Sequence, residues 1–171
     1  MSLKVFRFSN PTLTITVSAS QQGVVECLFD DSDKSPNDRP ETPWQKKLYR
    51  KLSDYVRGKV VDLGDIPLDF TFGTPFQQDV YNKLRTIGFG QMVTYGELAE
   101  KIGRPGAARA VGTAMKNNRI PLFIPCHRVI GSGRLGGFSA NGGTELKRKL
   151  LAHEGVNLNF SKTQKPRSQL V

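Results

Sequence analysis

Strict alternation is the clearest pattern early in the chain. In Leu13-Thr14-Ile15-Thr16-Val17-Ser18-Ala19 every second side chain falls on one face, as in a half-buried strand. Residues 3–8 and 23–29 also read as strands. The turn signals Asn10-Pro11 and Gln21-Gln22-Gly23 between them predict an antiparallel meander. Residues 30–43 hold three prolines and many charges without periodicity, the composition of a loop. Trp44, Leu48, Leu52, Tyr55 and Val56 then recur at helical spacing, and Gly58 ends that helix. From Val60 to Gly73 the chain reads as an extended connector, punctuated by Gly64, Pro67 and Gly73.

The second half changes period. Thr74-Pro75 is a cap followed by proline at the first helical position, and Phe76, Val80, Leu84 and Ile87 form one stripe, which predicts a helix over 75–87. Thr94 caps a short helix through Ile102. After the turn Gly103-Arg104-Pro105-Gly106, a third helix runs from Ala107 to Asn117, with Ala107, Ala110, Val111 and Ala114 as its narrow inner face. Residues 120–130 are apolar and extended, and 131–143 are glycine-rich. Thr144 caps a last helix through His153, with Leu146, Leu150 and Leu151 inward. The expected fold class is α+β: a small N-terminal antiparallel sheet with one helix, then a mostly helical C-terminal domain containing a helix-turn-helix. The expected domains are 1–63 and 75–160, joined by a connector over 64–74, with 161–171 as a disordered tail.

Charge sharpens this division. Residues 1–74 hold 10 basic and 10 acidic residues, whereas residues 75–171 hold 15 basic and 5 acidic. The whole excess of +10 lies in the helical half. That asymmetry fits a polyanion partner, and it equally fits a solvated basic surface. The paired helices lean towards nucleic acid, because the second carries Arg109 and Lys116, with Arg104 at its entry and Arg119 past its end, and no acidic residue. Two cysteines are too few for a disulfide framework or a zinc site, and no apolar run approaches the roughly 20 residues a membrane span needs. The expectations are therefore no metal, no cofactor and no membrane, in a reducing compartment: cytoplasmic, or nuclear in a eukaryote.

One segment carries chemistry: Ile124-Pro125-Cys126-His127-Arg128-Val129-Ile130. A lone cysteine usually serves as a small buried hydrophobe, which suits Cys27 between Val25 and Leu28. At Cys126, proline fixes the preceding backbone, and a histidine and an arginine follow that can lower a thiol pKa or take its proton. These residues alone leave a cysteine hydrolase and a DNA-modifying protein both open.

Pro125-Cys126-His127-Arg128-Val129 resembles the active-site motif of the O6-alkylguanine-DNA alkyltransferases. Tyr95, the run Ala107 to Gly112, Met115, Asn117-Asn118, Gly136, Ser139 and Leu151-Ala152-His153-Glu154-Gly155 stand in that family's order at close to its spacing, so the resemblance covers about residues 70–156. It implies direct, single-turnover repair of O6-alkylguanine, and less well of O4-alkylthymine, in duplex DNA. It makes Cys126 the nucleophile, activated through a water by His127, with Glu154 orienting the histidine. Asn118 would tie the recognition helix to the active-site loop, and Tyr95 would donate its hydroxyl to the base and crowd the lesion phosphate. Arg109 would fill the space of the extruded nucleotide, with Ala107, Ala108, Lys116 and Arg128 also on DNA and helix entry from the minor groove. Met115, Pro121, Val129, Gly136, Phe138 and Ser139 would form the alkylguanine pocket, the Val129 carbonyl and the Ser139 amide reading the guanine edge. Phe138 stands where some members carry tyrosine. The expected partner is double-stranded DNA bearing O6-alkylguanine, met by a monomer, with cooperative assembly on DNA left open.

Overall fold

The computed structural model describes residues 3–29, 38–69 and 73–158. The expected disordered tail over 161–171, and most of the loop over 30–43, lie outside these described residues. The chain divides into two compact units. One is residues 1–72 together with Arg119–Phe123, and the other is Gly73–Asn118 with the chain from Ile124 onward.

In the first unit, strands β1 (Lys4–Asn10), β2 (Leu13–Ala19) and β3 (Val24–Leu28) form an antiparallel meander in that order. Its first turn is fixed by Asn10, whose side-chain oxygen accepts from the amides of Thr12 and Leu13 at 2.8 Å each. The alternation sends Phe6, Ile15 and Val17 inward, where they are buried with Leu48, Leu52 and Tyr55 of helix α1 (Pro43–Val56). Thr42 and Gln45 close a reciprocal capping box at the start of α1. Cys27 is buried in β3, as a structural cysteine should be. The connector is less independent than its composition suggests, since Leu68 bridges to Val24 beside β3. Arg119–Phe123, expected inside the second domain, belongs here too, and the Cys27 amide donates to the Arg119 carbonyl at 3.1 Å. Within that segment Leu122 is buried in the left-handed region, with φ 76°. For a residue other than glycine this costs about 1–3 kcal/mol and must be held by its surroundings.

The second unit is mostly helical: α2 (Pro75–Leu84), α3 (Tyr95–Lys101), α4 (Ala108–Lys116) and α5 (Gly143–His153). Capping boxes Thr74/Gln77 and Thr94/Glu97 start α2 and α3 as the sequence predicts. Helix α2 stops at Leu84, earlier than the expected 87, in turns closed by the Thr86 and Ile87 amides on Lys83 and Leu84. Helices α3 and α4 form the helix-turn-helix. Leu98 and Ala99 of α3 are fully buried, as are Val111 and Ala114 of α4. Ala110, expected on the inner face, is exposed instead, because the buried stripe runs through Val111, Ala114 and Met115. Thr144 does not cap α5: Gly142 precedes the helix at φ 99°, so a left-handed glycine makes the entry. Two short strands that no periodicity reveals, β4 (Val93–Thr94) and β5 (Val129–Ile130), pair in parallel. They set the start of α3 beside the end of the Cys126 segment.

Candidate active site

Pro125 turns the chain so that the Cys126 amide donates to the Ile124 carbonyl at 2.7 Å, and Cys126–Arg128 make one turn of 3-10 helix. This turn holds Cys126 buried, 4% exposed, at the base of a cleft. Asn118, just past α4, spans the turn: its Nδ2 donates to the Ile124 carbonyl at 2.9 Å and to Cys126 Sγ at 3.3 Å. His127 is fully buried, with Nε2 2.8 Å from Glu154 Oε1.

Glu154 is the hub. Its carboxylate also accepts from Arg128 Nε and Nη2, both at 2.9 Å, and from the Gly90 amide at 3.0 Å. A Cβ on Gly90 would meet the Glu154 carbonyl at 3.0 Å, and φ there is +71°, so a glycine belongs at this approach. Burial works to raise the Glu154 carboxyl, but the hydrogen bonds and charges of His127 and Arg128 outweigh it and hold the group well below the usual carboxylate range. An ionised carboxylate only accepts, so His127 Nε2 carries the proton and Nδ1 keeps a lone pair. That Nδ1 is buried and has no protein partner among the described residues.

Burial dominates the remaining electrostatics. It pushes the Cys126 thiol up to about 11, although the Asn118 hydrogen bond and the Lys147 charge pull the other way. It lowers the His127 imidazole below its ordinary 6.5 despite Glu154. The resting pair is therefore a neutral thiol beside a neutral imidazole. The sequence suggests that the following histidine and arginine lower the thiol; in the structure the groups that lower it are Asn118, Lys147 and backbone amides, and burial outweighs them.

A cleft of about 410 Å³ opens over Cys126, walled by Tyr95, Met115, Phe138 and Ser139 with Arg109 and Lys116 at α4. Tyr95 is seated by two glycines. A Cβ on Gly112 would touch its ring at 3.9 Å, and one on Gly136, where φ is +75°, would crowd ring and hydroxyl at 3.2–3.3 Å.

Residues 75–156 match the family model for the 6-O-methylguanine DNA methyltransferase DNA-binding domain. Among curated relatives, the methylated-DNA–protein-cysteine methyltransferase of Shigella flexneri is 50% identical over 65% of this chain, and that match spans 64% of the relative, just under two thirds of its length. The protein of the same name from Sulfolobus acidocaldarius is 38% identical over 88% of this chain and 92% of the relative. This chain belongs to the methylated-DNA–protein-cysteine methyltransferases. The fold agrees: the crystal structure of Mycobacterium tuberculosis OGT in complex with DNA superimposes with a TM-score of 0.71 at 35% identity, covering 89% of this chain and 93% of that one.

Within this family member, the structure draws together most of the residues expected from the motif. Asn118 bonds Cys126 and Glu154 bonds His127, two hydrogen-bonded pairs on neighbouring residues of one turn, and Tyr95, Arg109, Met115, Lys116, Phe138 and Ser139 share the cleft with Cys126. Ala107 and Ala108 stand half-buried where α4 begins. Four residues depart from expectation. Arg128, expected on DNA, is 6% exposed with its guanidinium bonded to Glu154 and the Ile87 carbonyl, so it braces the site from within. Pro121 is buried in a segment of the first unit and does not line the cleft. Val129 and Gly136, expected in the pocket, do not line the cleft: the Val129 carbonyl accepts from Lys147 Nζ, which leaves it a second lone pair, and Gly136 seats Tyr95.

Lys147 is the residue sequence reasoning missed. It is fully buried, donates to the Val129 and Gly137 carbonyls, and is lowered by burial to about 8. The signal was present: Lys147 precedes Leu150 and Leu151 by three and four residues, which puts a cation on the apolar stripe of α5. Among the described residues no group of three His, Cys, Asp or Glu is placed to hold a metal ion.

Proposed function

We propose that this protein repairs O6-alkylguanine in duplex DNA by a single, irreversible transfer of the alkyl group to Cys126. The observation that carries the reading is Cys126 on the cleft walled by Tyr95, Met115 and Phe138, with Asn118 on its sulfur and the buried His127–Glu154 pair starting at the next residue. The transfer is an in-line displacement at the alkyl carbon. The sulfur–carbon bond forms as the carbon–oxygen bond breaks, and the electron pair leaves with guanine. His127 Nδ1 takes the thiol proton through a bridging water, and Glu154 steadies the imidazolium that results. The Tyr95 hydroxyl supplies a proton to the departing base. Tyr95 is raised by burial and by the nearby sulfur, so it remains protonated and able to donate. The thioether product is inert, so the cysteine is not regenerated and one molecule repairs one lesion.

The lesion reaches this cleft by extrusion from the stack. Helix α4 suits insertion into a groove: Ala107 and Ala108 keep its entry slim, its first turn has no acidic residue, and Arg109 is exposed. The DNA complex of the Mycobacterium tuberculosis relative supports DNA as the partner. Incubation with a duplex containing O6-methylguanine, followed by intact mass measurement, should give one added methyl group per molecule, mapped to Cys126. Repeated turnover of a thioester or peptide without that mass gain would overturn the reading in favour of a cysteine hydrolase.

A further inference from the structure

The last turn of α4 is held from outside the helix. An α-helix leaves its final carbonyls without partners of its own. In α4, Tyr81 Oη donates to the Ala114 carbonyl at 2.8 Å, and Ser139 Oγ donates to the Met115 carbonyl at 3.1 Å. Directly beyond, the Asn118 amide donates to the same Met115 carbonyl at 3.3 Å, and the Asn118 side chain reaches Ile124 and Cys126 Sγ. One continuous path of bonds thus runs from a phenol on α2 to the reactive sulfur.

Tyr81 is fully buried and takes no part in the transfer steps. Phenylalanine would fill the same volume without a hydroxyl to desolvate, and a buried hydroxyl costs free energy unless it is bonded. Here the bond goes to a carbonyl that already accepts from the Asn117 amide at 3.1 Å, so satisfying the helix end does not require it. Its effect is to fix where that end lies. We propose that Tyr81 is a positioning residue for alkyl transfer, its hydroxyl holding the end of α4 so that the Asn118 amide stays on the Cys126 sulfur. The proposal rests on the function proposed above and deepens it. Burial and the nearby sulfur push the phenol up to about 12, so Tyr81 remains a donor and does not serve as a base for the thiol.

The test is a double-mutant cycle on the full chain: wild type, Tyr81→Phe, Asn118→Ala and the double variant, each shown folded by its melting curve. Two rates are read, benzyl transfer from free O6-benzylguanine and labelling of Cys126 by iodoacetamide across neutral to alkaline pH. Tyr81→Phe should slow benzyl transfer by about tenfold or more, since small displacements transmitted to a reacting group can cost about 10²-fold. It should also move the pH dependence of labelling upward, because a loosened Asn118 amide stabilises the thiolate less. In the Asn118→Ala background the same change should cost less than about twofold. A purely structural tyrosine would give equal losses in both backgrounds and an unmoved pH profile; either result, or an unchanged rate in Tyr81→Phe, overturns the proposal. A wild type that is labelled by iodoacetamide but takes neither a benzyl group nor a methyl group from an O6-methylguanine duplex would overturn the proposed function instead, and the labelling arm would still decide whether Tyr81 acts on the sulfur.

Discussion

Two cysteines, both buried, divide the roles between them, and the partners of each decide which it plays. Cys27 sits in a strand with its amide on a backbone carbonyl, whereas Cys126 takes an amide donor on its sulfur and lines a cleft. Cys126→Ala should abolish transfer while leaving DNA affinity within severalfold of wild type, because the positive charge lies on other residues. Cys27→Ser should retain transfer; a folded Cys27→Ser protein without activity in the mass assay would contradict this division. The pH dependence follows from the neutral resting pair. His127 is lowered from 6.5 by burial, so its imidazole stays a competent base throughout the neutral range, and the rate should fall only as pH drops below about 6.5. His127→Ala should slow transfer by about 10²–10⁴-fold, the usual contribution of a positioned base. Stopped-time mass measurements across pH check both, and an unchanged His127→Ala rate would remove the histidine from the mechanism.

Elements, not single residues, explain why part of the site was legible and part was not. The Cys126–His127 pair is contiguous and stands out in the sequence, whereas Glu154 lies one residue past the helix that ends at His153, and only the family resemblance singles it out. The resemblance puts Arg128 on DNA, and only the end of α5 shows that Glu154 claims its guanidinium. Strands β4 and β5 are two residues each, too short for alternation to register. Glu154 ties α5, the reactive turn and the Gly90 loop together, which makes a stability prediction. Glu154→Gln should destabilise the protein by about 3–5 kcal/mol, since it leaves a buried guanidinium without its counter-charge. Because the native carboxyl is held below its unfolded value, its stabilisation is present above about pH 4.3 and is lost on acidification below that. The buried neutral His127 adds a separate loss as pH falls below about 6.5, where the unfolded chain binds the extra proton. Denaturant titrations of Glu154→Gln should lose the lower window and keep the upper one. For α4, Arg109→Ala should cut duplex repair at least about tenfold at saturating protein and leave free O6-benzylguanine reaction nearly unchanged, as losing an unstacking aid worth a few kcal/mol requires. Equal loss on both substrates would assign Arg109 to the fold of the site.

At the scale of the whole molecule, alkylation changes the protein itself. A methyl group added at a 4%-exposed sulfur that Asn118 already touches must displace neighbours, at a cost of about 1–3 kcal/mol. The methylated protein should melt several degrees lower than the free one, at roughly 2–4 °C per kcal/mol for a domain of this size. Equal melting temperatures with methylation confirmed by mass would contradict this. The division of the chain carries a further consequence. The first unit is complete only with Arg119–Phe123, so the chain leaves the second unit after Asn118 and re-enters it at Ile124, the two residues whose hydrogen bond closes the excursion beside Cys126. During synthesis the sheet therefore emerges from the ribosome long before its last segment does. A nascent chain arrested at Asn118 lacks four of that unit's buried side chains, Ile120, Pro121, Leu122 and Phe123, so the meander cannot reach its final stability until the second unit's helix-turn-helix has already been made.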